Sequence, residues 1–337
     1  MFKPTYKLTS EILKNIGIIE RLYGQLEGMQ IPASLLLNLK RDNLVQSAYS
    51  SNSIEGNPLT HIEVTNLILG GIIPTNRDER EVKNYFDILQ TLDKKVSDKF
   101  NLEEILAIHM HLMTGVNNEI AGKVRSNEVI IGYKDVISGN LVVKHNPPFH
   151  DENKIKSALK ELFTWASNSN EMAMITAGIY HHQFVYLHPF TDGNGRVCRL
   201  TTALLLLKSK YQINKYFVLD DYYDIDRDQY SDKLHSADQG DKTEWLEYFT
   251  EGVKYSLQSA LAKIEKGLSR STIDVRPTTR ETDVLNLMQQ FREMKTSDLA
   301  KELSLSRQQA FNLLRNLVEK GYLESVGKRK NRYYVLK

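Results

Sequence analysis

Residues 188 to 199, HPFTDGNGRVCR, bring together within one short stretch the residue types that anion chemistry needs. His188 has an ordinary pKa near 6.5, so it is largely neutral at working pH and can take a proton from an attacking hydroxyl. Asp192 is a hard oxygen ligand suited to a magnesium ion held by one or two carboxylates. Gly193, Asn194 and Gly195 make a turn whose exposed amides, feeding a helix, favour phosphate at the positive end of the helix dipole. Arg196 and Arg199 follow three apart, so in a helix starting at the turn both guanidinium groups project from nearly the same face, able to bind phosphate oxygens. Together the parts match phosphoryl or nucleotidyl transfer. An ordinary capped helix with two exposed arginines would explain neither the histidine nor the dense spacing.

The elements around this stretch read as helices. Residues 8 to 48 show Ile12, Leu13, Ile16, Ile19 and Leu22 at helical spacing, and a second amphipathic run follows Pro32. That run meets a stop signal at Gly56, Asn57 and Pro58, with Ser51 and Glu55 four apart on one face just before it. Taken alone, the pair reads as a solvated helix end. The segment 101 to 113 predicts a helix with Asn101 as N-cap and Glu103 and Glu104 in its first turn. His109 and His111, two apart, point to different faces, one packed and one exposed. Residues 127 to 148 hold two β-branched runs around Ser138-Gly139-Asn140 and predict a short β-hairpin, which must pack on the helices or on a ligand to persist. Helices follow at 151 to 187, with His181 two turns before His188 and read as structural. An apolar helix after the motif and a Tyr-rich acidic segment complete the core. There Tyr222, Tyr223 and Tyr230 are either packing residues or a platform for a base.

Residues 263 to 280 lose periodicity and read as a linker. Three helices and two strands follow, the strands set around Gly327-Lys328-Arg329-Lys330-Asn331, an order that resembles a winged helix-turn-helix. Arg307, Gln308 and Gln309 open the candidate recognition helix, and Lys328, Arg329, Lys330 and Arg332 could meet phosphate in the wing. Residues 277 to 337 carry 12 Lys and Arg against 7 Asp and Glu, a local +5, whereas the whole chain of 337 residues is +2. DNA or a protein contact are both compatible with that modest charge.

Composition narrows the classes further. Hydrophobic content of 41% with 26% charged residues fits a globular chain, not a disordered one. The single cysteine, Cys198, excludes an intramolecular disulfide, a CxxC redox pair and a thiolate zinc site, and fits a reducing cytoplasm. Charges throughout the first 22 residues leave no apolar core of signal-peptide length, and no stretch approaches a membrane span, so the expectation is a cytoplasmic protein without membrane insertion.

The stretch 188 to 199 resembles the signature of the Fic (filamentation induced by cAMP) family, HxF followed by x, Asp or Glu, then GNGRxxR, with every defining position filled. The resemblance implies a mainly α fold: a Fic-type helical core with a β-hairpin flap, plus a small winged-helix domain. It implies His188 as general base, Phe190 as the loop's apolar anchor, Asp192 as the Mg2+ ligand, Gly193, Asn194 and Gly195 as the phosphate cradle, and Arg196 and Arg199 as phosphate-binding cations. ATP would be the donor, with AMP passing to a Ser, Thr or Tyr hydroxyl of a protein that the flap presents. The motif reads phosphates and not the base, so another nucleotide or a phosphocholine donor stays open. SNSIEG at 51 to 56 is similar to the family's inhibitory motif, which implies that Ser51 and Glu55 engage Arg199 in place of the γ-phosphate. Tyr230 would be an adenine neighbour.

The expected organisation is an N-terminal helical region over 1–95 with an inhibitory helix around 44–57, a catalytic core over 96–262, a linker over 263–276 and a winged helix over 277–337. The function so implied is an auto-inhibited protein adenylyltransferase. Two alternatives are a de-adenylylating or bifunctional enzyme using Glu55, and a nucleotide-sensing, DNA-binding regulator. A homodimer is compatible with each.

Overall fold

The computed structural model describes residues 2–97, 99–134, 140–268, 277–291, 293–327 and 332–337. Two consecutive helices, α7 (Ala173–Leu187) and α8 (Asn194–Lys208), carry the 188–199 stretch between them. Neither has a polar face: apolar and small residues surround both, so they pair at the centre of the fold and other helices cover them. Helix α7 meets α11 (Thr243–Leu268) closely because Gly178 has no side chain. A Cβ there would lie 2.7 Å from a Leu246 methyl, and Trp245 Nε1 donates to the Gly178 carbonyl at 2.7 Å. Helix α1 (Ser10–Gly28) lies along the other side of α11, where Asn15 and Thr250 join in a buried hydrogen bond.

The remaining helices of the core begin where local chemistry allows. Helix α2 (Ala33–Ile54) starts after Pro32 and ends at Glu55, with Gly56 at φ 85 turning the chain away. Helix α3 (His61–Leu69) opens on a Thr60/Glu63 capping box. The caps of α4 (Arg77–Thr91), α5 (Leu102–Met113) and α6 (Glu152–Asn168) are Asn76, Asn101 and Asp151, each accepting a backbone N–H from the first turn. Two short helices, α9 (Asp220–Ile225) and α10 (Arg227–Ser236), run along the C-terminal half of α2 and towards the hairpin.

That hairpin consists of β1 (Ile131–Lys134) and β2 (Leu141–His145), antiparallel with Ile131 opposite His145 and Gly132 opposite Val143. Ser138 and Gly139 of the expected turn lie outside the described residues. Leu141 and Val143 are half exposed or more, so the hairpin offers apolar side chains to solvent.

The C-terminal segment has its own apolar cluster, built from α12 (Thr279–Met288), α13 (Thr296–Glu302), α14 (Arg307–Glu319), β3 (Leu323–Val326) and β4 (Tyr333–Leu336). Met294 bridges to Tyr334, so the segment has the helices-then-hairpin order of a winged helix. It touches the start of α2 through Ala33 and Leu37, and Asn38 donates to the Lys337 carbonyl. The mainly α architecture with two small hairpins is therefore as expected. One boundary moves: residues 263–268 continue α11 because Ile264 is fully buried, while 269–276 lie outside the described residues.

Candidate active site

His188 caps α7 in the left-handed conformation, φ 45, which reverses the chain and aims the motif back along the core. Such a conformation costs a non-glycine residue energy and persists only when its surroundings hold it. Arg125 does so. Arg125, 2% exposed and with no carboxylate partner among the described residues, donates from its guanidinium to the carbonyls of His188 at 2.6 Å, Asn127 at 2.7 Å and Phe149 at 2.7 Å, and its backbone N–H donates to Pro189 O. One side chain thus joins the motif to both ends of the hairpin segment. Burial pushes the His188 imidazole down to about 4, helped by the nearby His145 and Arg125, so at neutral pH it is an uncharged proton acceptor.

The turn itself is equally fixed. Asn194 accepts from Phe190 N and donates to Phe190 O, both at 2.8 Å, closing the loop on itself. Phe190 is fully buried and stacks on His109, with ring centres 3.8 Å apart and planes 5° apart. Gly122 N–H donates to His109 Nδ1, so the ring's proton is on Nε2, which donates to the Asp192 carbonyl at 3.1 Å. Burial holds this imidazole down at about 4 and keeps it neutral. Gly193 has φ 80, and a Cβ on it would press on Leu112 and the Met113 sulfur. His109 is therefore the packed member of its pair and His111 the exposed one, as expected, but its support of the motif was not foreseen.

Arg199 is 4% exposed and pointed at α2. Its Nε donates to Ser51 Oγ at 2.6 Å, and its Nη2 donates to Ser51 O at 2.8 Å and to Glu55 Oε1 at 2.7 Å. Asp220 Oδ1 stands 3.8 Å from its Nε on the opposite side. Burial works to raise the Glu55 carboxyl, and the positive charges of Arg199 and Arg196 outweigh it and hold the group ionised. For Asp220 burial wins, with its carboxyl raised to about 6 despite Arg199. The Glu55 carboxylate also lies over the first turn of α8: a Cβ on Gly195 would be 2.1 Å from Oε1. It occupies the anion position of that helix end. Ser51 is fully buried, so the solvated helix end is overturned by burial and by the ion pair.

Arg196 diverges from Arg199. It faces Glu81 of α4 at 2.9 Å and Asp192 at 3.2 Å, and its Nε is buried with no hydrogen-bond partner among the described residues. Asp192 is also contacted by Arg77 at 3.1 Å and is about one-third exposed, so the carboxylate can be reached from solvent. The unpartnered Nε, the exposed carboxylate and the Gly-Asn-Gly turn suit a polyphosphate with one divalent cation.

Tyr230 lies beside Arg199 and is packed into the core. It is 6% exposed, stacked on Tyr223 at 4.3 Å, with its hydroxyl 2.9 Å from His181 Nε2. Its ring is spent on core packing, so it is not a free platform for a base. His181 is structural, as expected, with Thr202 at its other nitrogen. In the tail, Arg307 and Gln308 are exposed and line a cleft with Lys295, Phe311 and Arg332. Lys328, Arg329 and Lys330 lie outside the described residues.

Fold and site together define a helical core that holds a histidine, a glycine turn and an arginine–carboxylate pair at the end of one buried helix. Residues 99–206 match the sequence model of the Fic/DOC family, and the chain has a Fic/DOC-family fold. A crystal structure of a Fic family protein from Desulfovibrio desulfuricans superposes with a TM-score of 0.66 at 23% identity, covering 100% of this chain and 98% of that one. Fic-1 from Caenorhabditis elegans gives 0.63 at 22% identity over 76% of this chain and 73% of that one. These two likenesses concern the fold. In sequence, the chain is 26% identical over 237 residues to "Protein adenylyltransferase fic-1" of C. elegans, covering 67% of this chain and 43% of that protein. It is 27% identical to the protein of the same name in Caenorhabditis briggsae, over 74% of this chain and 46% of that one. The chain spans less than half the length of these relatives.

Two predictions follow from this geometry. Arg125→Met, which leaves the carbonyls of His188, Asn127 and Phe149 without their donor, is expected to destabilise the fold by roughly 2–5 kcal/mol in urea unfolding, each buried unpaired carbonyl costing about 1–3 kcal/mol less any relaxation. The second concerns acid. His109, His181, His182 and His188 all have folded pKa values below the unfolded value near 6.5, so the unfolded chain binds the protons. Asp220 and Asp221 are raised by burial and act in the opposite direction. The net of about two protons predicts stability that is full above pH 6.5 and falls by roughly 2–3 kcal/mol per pH unit towards pH 4. Unfolding curves at pH 7, 6 and 5 that coincide would contradict it.

Proposed function

We propose that this protein is an auto-inhibited adenylyltransferase that moves AMP from ATP to a hydroxyl of a protein. The observation that carries the proposal is the Glu55 carboxylate bound at 2.7 Å to Arg199 over the first turn of α8. A carboxylate and a phosphate cannot both satisfy that guanidinium, so an arriving nucleotide must displace Glu55 or bind out of line. With Glu55 displaced, Arg199, Arg196 and the turn amides would hold the phosphates. Neutral His188 would take the proton of the hydroxyl as its oxygen attacks the α-phosphorus, and pyrophosphate would leave. Asp192 would hold Mg2+, which when bound supplies charge neutralisation of the phosphates. The exposed Leu141 and Val143 on β2 are suited to receive an extended target segment as an added strand.

Small side chains make the inhibitory contact releasable. On the last two turns of α2, beyond the buried Leu44 and Val45, the buried residues are Ser47, Ala48, Ser50, Ser51, Asn52 and Ser53. Ser47 is hydrogen-bonded to Asp220, Ser50 donates to Asp221 at 3.0 Å, and Arg227 donates to Ser53. Lifting this face exposes little apolar surface, and each serine regains water.

With ATP labelled at the α-phosphate, Glu55→Gly is expected to raise label on protein at least tenfold over wild type, and His188→Ala in that background to remove it by about 10²–10⁴-fold, the range of a general base. Equal label in all three proteins would overturn the proposal. If Glu55 instead orients a water for removal of AMP, Glu55→Gly stops release of label from a pre-modified target.

The second reading, a DNA-binding regulator, is favoured by the cleft that Lys295, Arg307, Gln308 and Arg332 line beside α14. Its test is a gel shift of the full chain. Binding should weaken steeply from 50 to 200 mM salt, and Arg307→Ala should reduce the salt slope by about one. No shift at low salt would exclude it.

A further inference from the structure

Beneath the hairpin, three histidines from separate elements converge on one carboxylate. His145 ends β2, His182 lies on α7, His235 on α10, and Asp238 in the turn after it. Asp238 Oδ2 is 2.7 Å from His145 Nδ1 and 3.0 Å from His235 Nδ1, while Oδ1 is 3.0 Å from His182 Nε2. The side chains of His145 and His182 are 2% and 1% exposed, and those of His235 and Asp238 are 16% exposed. The His145 and His235 rings stack with centres 5.2 Å apart and planes 19° apart, so both Nδ1 atoms face the same oxygen.

The tautomers follow from the neighbours. Tyr186 O, 2.9 Å from His145 Nε2, can only accept, so that nitrogen carries a proton. His145 Nδ1 faces a carboxylate oxygen 2.7 Å away, so either a second ring proton or a metal cation lies between them. His182 differs: Lys242 Nζ donates to its Nδ1 at 2.7 Å, so its Nε2–H donates to Asp238 Oδ1 at 3.0 Å. That donor orients the carboxylate and leaves Oδ2 for the other two histidines. This is the support that metal-ligating groups receive: a carbonyl fixing the imidazole tautomer and a hydrogen bond on the free carboxylate oxygen.

We propose that His145 Nδ1, His235 Nδ1 and Asp238 Oδ2 form a binding site for a zinc-type divalent cation that ties the end of β2 to α10. The three ligand atoms lie within 4.8 Å of one another. Bonds of about 2.0–2.1 Å in a tetrahedron place ligands roughly 3.3 Å apart, so the two nitrogens, 2.7 and 3.0 Å from Oδ2, must withdraw from it by a few tenths of an ångström and settle at a like distance from each other. Two imidazoles and one carboxylate suit zinc with an open fourth position, and not magnesium, which prefers oxygen alone. Among the described residues Lys144 also anchors β2 to α10, reaching Ser231 and Asp232 near the helix surface. A metal here would therefore fix the hairpin from the buried side. The inference does not rest on adenylyl transfer and is read by binding alone.

The test uses the full chain without an affinity tag, stripped with a chelator and titrated with Zn2+ by calorimetry, with Co2+ absorption as a second readout of tetrahedral nitrogen and oxygen ligation. One equivalent per chain is expected, with a raised melting temperature. His235→Ala, at a partly exposed position, should weaken binding at least tenfold and remove the thermal shift. His182→Gln should weaken it by roughly 10–100-fold, the usual effect of a supporting partner. His188→Ala should keep the equivalent. Absence of binding, or an equivalent unchanged in His235→Ala and in His145→Ala, would overturn the proposal and leave a proton as the cation between His145 and Asp238.

Discussion

A guanidinium buried at the end of two helices has to be neutralised, and in this protein the requirement falls on Arg199. Leaving it unpaired would cost several kcal/mol, so carboxylates and hydroxyls are drawn in from both sides. Glu55 and Ser51 come from one side, Asp220 from the other. Asp220 alone makes a poor counterion, because burial raises its carboxyl to about 6 and its nearest approach is 3.8 Å. Glu55 supplies the closer anion, 2.7 Å from Nη2, and the end of α2 carries it.

The two halves of the site differ in how firmly they are held. The motif loop is determined several times over: Asn194 bonds both backbone groups of Phe190, His109 bonds the Asp192 carbonyl, and Arg125 bonds the His188 carbonyl. Left-handed residues at His188 and Gly193 are sustained by these contacts, and a loop so fixed can present amides without reorganising. Helix α2 is anchored in the core by Leu39, Leu44 and Val45, whereas its last two turns are held mainly by serine hydroxyls and one ion pair, contacts that water can replace.

How much of this could be read from the chain follows from the range of the interactions. The motif is contiguous, and caps such as Asn101 and Asp151 act within three residues, so helices and the central site were legible. Arg125 gave no signal, since its partners at 149, 187 and 188 are carbonyls, which every residue has. One of His109 and His111 was legible as packed, but not which one, nor that His109 supports residue 192, because stacking on Phe190 joins positions 81 apart. A Tyr-rich segment looks the same whether its rings line a pocket or fill a core; three-dimensional neighbours decide, and here Tyr223 and His181 pack against the Tyr230 ring. The end of α11 was placed too early because charged residues between Lys263 and Leu268 masked a single buried Ile264.

The depressed imidazole of His188 says where control must lie. With its pKa near 4, the ring is neutral at pH 7 whether or not Glu55 is in place, so protonation cannot be the gate. A base that weak is also far from the pKa at which proton transfer is best driven. Anionic charge nearby raises an imidazole, as the Glu55 carboxylate already does slightly against burial. A polyphosphate brings more charge than one carboxylate. An anion that displaces Glu55 from Arg199 would then also strengthen the base that acts on it, so the same exchange that opens the site prepares its chemistry.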